Sequence, residues 1–191
     1  FFFPLPFSGP PMHPKHAPTS TLLLPTRDGL HELHVAEYGA PGGTPIVYLH
    51  GGPGGGTPPD VPRLFDPAVF RLVTFDQRGC GRSRCADRLL ANTTALLIDD
   101  VEAVRCRLGI ERWAVFGSSY GSLLVALYAA RHSARVTFAI AHGVFLGTRA
   151  EVGWLYEAPG ASRFYPDQWE DLLRASGGAG AGAAGAAAAA A

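Results

Sequence analysis

The sequence has no excess of charge of either sign: sixteen lysines and arginines balance sixteen aspartates and glutamates over 191 residues. Such a surface has no broad attraction for nucleic acid or an anionic membrane, and neither is expected as a partner. Nor is there an apolar run of the roughly 18 residues that a membrane-spanning helix requires. Cysteine is scarce: Cys80, Cys85 and Cys106 are odd in number and lack paired metal-ligand spacing. They read as free thiols in a reducing compartment, with no disulfide framework, and no metal or cofactor is expected.

Acidic residues are missing from Phe1 to Thr26, a stretch of Pro, Phe, His, Ser and Thr with one Lys15. Residues 1–20 read as a disordered leader. The cytoplasm is the expected location, although this composition also fits the end of an organelle transit peptide. The chain starts without Met and is expected to be incomplete there. At the other end no histidine follows His142, no acidic residue follows Asp171, and beyond Ser176 only Gly and Ala occur. The tract 176–191 has no side chains to build a core and is expected to be a low-complexity tail.

What is present is a soluble-domain composition, 47% apolar, at a length suited to one core. Leu22–Leu24, the turn Thr26-Arg27-Asp28-Gly29, and the alternating run Leu33 to Tyr38 predict a hairpin, with His31 and His34 at surface strand positions. Ile46-Val47-Tyr48-Leu49 is a continuous apolar run, the pattern of a strand covered on both faces. It enters His50-Gly51-Gly52-Pro53-Gly54-Gly55-Gly56, where glycines let the main chain approach a ligand or present bare N–H groups. Phe70–Phe75 is the next strand and ends in Asp76-Gln77-Arg78-Gly79-Cys80-Gly81-Arg82-Ser83; Asp76 and Arg78 suggest a buried pair that braces loops. Asn92-Thr93-Thr94 offers caps for a helix from about Ala95 to Leu108, with Asp99, Glu102 and Arg105 on its solvent side.

The strand Trp113–Phe116 then runs into Gly117-Ser118-Ser119-Tyr120-Gly121, and a helix over 122–132 leaves it. Gly-x-Ser-x-Gly between a strand and a helix is the pattern of a nucleophile elbow, with Ser119 at its apex. A capped strand-to-helix loop would read similarly, so the assignment depends on the rest of the chain. A further strand, Val136–Ala141, ends in His142-Gly143-Val144-Phe145. Trp154, Leu155, Tyr156, Phe164, Tyr165 and Trp169 follow without strand periodicity, and Tyr165-Pro166-Asp167 suggests a helix start. Strands separated by helices predict an α/β fold with a mostly parallel sheet, and all the Gly-bearing turns fall at strand C-termini, where such sheets bind ligands.

Taken in order, these motifs resemble the prolyl aminopeptidase (proline iminopeptidase) family of α/β-hydrolases. The likeness rests on His50 to Gly56, Asp76 to Ser83, Asn92-Thr93-Thr94, Phe116 to Ser122, and Gly160-Ala161-Ser162-Arg163 with Tyr165 to Glu170. It implies an α/β-hydrolase core over 21–149, incomplete, with only the start of a helical cap over 150–175. It implies a serine aminopeptidase acting without metal on peptides that begin with proline. Ser119 would be the nucleophile, the backbone N–H groups of Gly52 and Tyr120 the oxyanion donors, Phe145 and His142 pocket residues, and His50, Asp76 and Arg78 loop braces.

The chain departs from that pattern in three places. Ser118 and Tyr120 flank Ser119 where the family usually has Gly and Trp, and His142 stands where it has Arg. The third departure concerns the triad, whose order is Ser, then Asp or Glu, then His. His132 lies at the far end of the elbow helix, beyond reach of Ser119 at ~1.5 Å of rise per residue. Little activity is therefore expected from these 191 residues alone. A catalytically inactive truncated hydrolase, or another serine hydrolase such as an esterase, remains the alternative.

Overall fold

The computed structural model describes residues 12–176, and the readings of 1–11 and 177–191 lie outside them. Seven strands form one sheet: β1 (Ser20–Pro25), β2 (His31–Gly39), β3 (Thr44–Leu49), β4 (Phe70–Phe75), β5 (Arg84–Cys85), β6 (Trp113–Ser118) and β7 (Val136–His142). The order is β1-β2-β4-β3-β6-β7, with the two-residue β5 beside β2. β1, β2 and β4 pair antiparallel, whereas β4, β3, β6 and β7 are parallel. The expected parallel α/β sheet is present, with an antiparallel hairpin on one edge.

Continuous apolar strands arise because both faces are covered. Val47 and Leu49 join Val73, Val115 and Trp113 in the main core, against Leu97 and Val101 of α1 (Thr94–Arg107) and Leu124 and Tyr128 of α2 (Tyr120–Arg131). Ile46 and Tyr48 turn to the other face and meet Leu72, Ala114 and Phe65. Each fully buried aliphatic side chain contributes about 1.5–3 kcal/mol, so the sheet centre dominates the stability. β7 forms the outer edge, and Phe138 and Ile140 are exposed on it.

Thr93 caps α1 by accepting from the Leu96 N–H, as the Asn-Thr-Thr run suggests. Three local expectations are corrected. His31 is buried, not a surface position: its Nε2 lies 2.8 Å from the Leu90 carbonyl oxygen, because the 84–92 segment folds over β2. Arg105 is buried, and its guanidinium caps the carbonyls of Ile110 and Glu111 while pairing with the partly buried Glu102. Within the leader, residues 12–19 carry no regular secondary structure, but the His13 N–H donates to the Arg63 carbonyl, and Ser20 already belongs to β1.

Beyond β7 the chain forms α3 (Arg149–Tyr156) and α4 (Pro166–Ala175). α3 was not read from periodicity. Its signal is the Thr148-x-x-Glu151 capping box, in which each end of the box satisfies the other's backbone. No helix among the described residues is long and apolar enough to cross a membrane.

Candidate active site

Ser119 occupies the turn between β6 and α2 with φ 56° and ψ −125°, a conformation that a side chain disfavours. The turn is possible because its flanks carry no Cβ. A Cβ on Gly117 would stand 2.1 Å from the Gly121 carbonyl oxygen, and one on Gly121 would stand 2.1 Å from that of Leu49. Strand, helix and the end of β3 thus meet in backbone contact, and Ser119 is pushed outward and exposed. Among the described residues, nothing hydrogen-bonds its Oγ. Tyr120 opens α2, so its N–H has no acceptor within the helix.

A cavity of about 360 Å³ adjoins the elbow. It is lined by Gly52 and Ser119 together with Trp154, Tyr156, Tyr165 and Trp169 of the α3–α4 segment. Gly52 and Ser119, far apart in the chain, are therefore brought to one apolar recess. Phe145 and His142 lie outside that lining. Phe145 packs against the main core, and its N–H donates to Ser122 Oγ (2.9 Å), which itself donates to the Ser119 carbonyl (2.6 Å). His142 is at the exposed end of β7, with its Nδ1 3.2 Å from Ser118 Oγ and its carbonyl oxygen accepting the Ser119 N–H.

The loops around the elbow are held by buried polar groups. His50 is fully buried, and its Nε2 accepts the Gln77 N–H at 3.0 Å. That bond leaves Nδ1 as the protonated nitrogen, donating to the Gly51 carbonyl at 2.8 Å. Burial pushes the His50 pKa down, so the ring stays neutral.

Asp76 and Arg78 do not pair with each other; each braces a different loop. Asp76 accepts the N–H of Thr57 from the Gly-rich loop, and the N–H and Nε of Arg82 from its own turn. Burial works to raise its carboxyl pKa, but these bonds outweigh it and hold the group at about 2. Arg78, also buried, forms a two-pronged bond to Asp100 on α1 (2.6 and 2.9 Å) and reaches Asp28 of the β1–β2 turn and the Ala91 carbonyl.

Gln77, Arg82, Asp100 and Ser122 are not singled out by the sequence, and Thr94 reads there only as a possible helix cap. Thr94 binds the Tyr120 hydroxyl at 2.9 Å. Only the Asp-Gln-Arg-Gly run hinted at this network, since its partners lie up to 50 positions away. No group of three or more His, Cys, Asp or Glu that could hold a metal ion occurs among the described residues.

A sequence profile of the alpha/beta hydrolase fold matches residues 44–189. The chain is 49% identical over 147 residues to a proline iminopeptidase of Neisseria meningitidis serogroup A, covering 75% of this chain and 46% of that protein. It is 48% identical to a proline iminopeptidase of Xanthomonas citri, covering 78% and 47%. The chain thus spans about half the length of the curated relatives it matches. Among solved structures it resembles a proline iminopeptidase-related protein from Thermus thermophilus, with a TM-score of 0.58 and 30% identity over 64% of this chain and 43% of that one. With a sheet of this order, an elbow of this geometry and a profile match over most of its length, the chain belongs to the alpha/beta hydrolase fold family.

Proposed function

We propose that this chain carries the nucleophile and oxyanion-binding part of a serine aminopeptidase that releases N-terminal proline from peptides. One observation carries the reading: Ser119, at positive φ between β6 and α2, shares a cavity with Gly52 of the Gly-rich loop. Its Oγ would attack the carbonyl carbon of the proline residue. The N–H groups of Tyr120 and Gly52 would then meet the negative charge that develops on the oxygen, as pre-placed backbone donors do in acyl transfer. The apolar lining would receive the pyrrolidine ring and exclude water, and His142 and Phe145 would complete the pocket. His50, Asp76 and Arg78 serve by holding the loops. The relatives named proline iminopeptidase support the substrate class. The unpaired thiols Cys80, Cys85 and Cys106 favour a reducing location such as the cytoplasm.

We infer that none of His50, His132 and His142 serves as the general base. His50 is buried and occupied by Gln77 and Gly51. His132 stacks on Tyr128 at the far end of α2, and His142 is exposed at the end of β7 with no carboxylate bonded to it among the described residues. Without a base the Ser119 hydroxyl is a weak nucleophile, and loss of a triad member costs orders of magnitude. The 191-residue chain should therefore turn over a proline arylamide near the background rate; fast turnover abolished by Ser119→Ala would overturn this part of the reading. The substrate class is tested by grafting the matched 147 residues into the Neisseria meningitidis relative. Hydrolysis of proline arylamide that depends on Ser119 is expected, and a folded but inactive graft would refute the assignment.

A further inference from the structure

A short relay of hydrogen bonds ties the aromatic wall of the cavity to the serine elbow. Ser122, buried in the first turn of α2, donates its hydroxyl to the Ser119 carbonyl at 2.6 Å and accepts the Phe145 N–H at 2.9 Å. The next residue, Leu146, donates its N–H to both carboxylate oxygens of Glu151, each at 3.2 Å. The same carboxylate accepts the Thr148 N–H at 2.9 Å and the Thr148 hydroxyl at 2.8 Å. A capping box accounts for the exchange with Thr148; the bond to Leu146 lies outside it. Glu151 thus fastens α3 back onto the connector that leaves β7.

What Glu151 fastens is the cavity wall. One turn further along α3, Trp154, Leu155 and Tyr156 line the recess beside Ser119. Gly160 passes so close to α3 that a Cβ on it would stand 2.2 Å from the Trp154 carbonyl oxygen. The short turn Ala161–Arg163 that follows packs on both α3 and α4. Neither helix has a buried residue, so the core grips neither of them firmly. The angle at which the wall stands over Ser119 is therefore set where α3 begins.

We propose that Glu151 is a positioning residue: by binding the Leu146 N–H it holds the α3–α4 wall at a fixed spacing from Ser119, and so shapes the recess for the ring of an N-terminal proline. This rests on the aminopeptidase reading above. The ring methylenes offer no hydrogen bond, so their placement depends on contact with fixed walls. A gap of 0.5–1 Å already forfeits roughly a quarter to a half of each such contact.

The test uses the 191-residue chain with ¹⁵N-labelled tryptophan. Its three indole signals report on the buried Trp113 and on Trp154 and Trp169 of the wall, and are assigned through Trp154→Phe and Trp169→Phe. L-Prolinamide should shift the two wall signals and leave Trp113 in place. Glu151→Ala should move the wall signals in the free chain and weaken L-prolinamide binding roughly two- to tenfold, the size of one net hydrogen bond. An unmoved Trp113 signal then shows that the core is intact. Glu151→Gln, whose amide oxygen still accepts, should restore both signals and affinity. Thr148→Ala removes the cap from α3 but leaves the bond to Leu146, and should bind L-prolinamide nearly as the parent does. If Thr148→Ala costs as much as Glu151→Ala, or if Glu151→Ala alters neither signals nor affinity while L-prolinamide still binds, the role of Glu151 is refuted and the aminopeptidase reading stands. If L-prolinamide moves none of the three signals, that reading falls and the role of Glu151 falls with it.

Discussion

Gln77 and His50 hold each other by two hydrogen bonds: the Gln77 backbone N–H donates to His50 Nε2 at 3.0 Å, and the Gln77 side-chain amide donates to the His50 carbonyl at 2.8 Å. Both residues are buried, and His50 directly precedes the Gly-rich loop that contributes Gly52 to the cavity. The pair joins the C-terminal ends of β3 and β4 and sets where that loop departs from the sheet.

Replacing Gln77 by Leu removes the donor and strands the buried His50 carbonyl. An unsatisfied buried polar group costs about 1–3 kcal/mol, and the urea midpoint should fall accordingly with little change in the slope of the transition. A midpoint equal to that of the parent chain would show that the clamp contributes nothing.

Arg78→Met is expected to be more severe. It leaves Asp100 buried beside α1 without the guanidinium that bonds both its oxygens. Breaking a buried ion pair from one side costs about 3–5 kcal/mol, enough to leave a domain of marginal stability partly unfolded at 25 °C. The double change Arg78→Met with Asp100→Leu should recover much of that loss, because the one carboxylate still deprived of Arg78, Asp28, is partly exposed and keeps its bond from Thr26. Circular dichroism melts of the parent chain and both variants measure the two effects.

Acid should unfold the chain from about pH 4 downward. The Asp76 carboxyl is held at about 2 against an ordinary 3.8. Arg105, followed by the Tyr128 hydroxyl, holds Glu102 at about 2 against 4.5, in spite of partial burial. Both folded values lie below the unfolded ones, so their contribution is fully present above about pH 4.5 and is lost as the pH falls through 2. Burial of Asp100 works in the opposite direction by pushing its pKa up, which makes the wild-type slope a net quantity. Glu102→Gln keeps an acceptor for Tyr128 but removes the titrating group, and should flatten the loss of stability between pH 4.5 and 2. An unchanged profile for this variant would show that Glu102 does not contribute to the acid transition.

Ser119→Gly should stabilise the fold. The residue is at φ 56° and ψ −125°, a region open to glycine and costly to other residues by on the order of 1–3 kcal/mol. The melting temperature should rise for Ser119→Gly and stay near the parent value for Ser119→Ala, which retains a Cβ in the same conformation. Equal melting temperatures for the two variants would show that the elbow is not strained.

Much of the elbow was legible in the chain. Gly117 and Gly121 could be read because the constraint they answer is local: strand and helix must cross within five residues. Thr93 as a cap and the alternating faces of β3 were legible for the same reason, since each depends on neighbours a few positions away. The sequence suggested that Asp76 and Arg78 form one buried pair, and they do not. A two-residue spacing suggests a local pair, but the turn after β4 sends the two side chains apart, where Arg82 and Asp100 await them. His31 and Arg105 were placed at the surface because periodicity cannot register a distant segment folding over a strand or a helix end.

The sequence by itself determined the parallel sheet and the glycine-flanked serine at a strand's end. Each is a matter of residue type and short-range spacing. Only the tertiary structure decided that Gly52 and Ser119 line one cavity, that α3 and α4 supply its aromatic wall, and that a one-residue shift in β7 sets His142 against Ser118. Those relations join segments tens of residues apart. They follow from strand order and register, which are set by how the whole core packs and not by any one stretch of it.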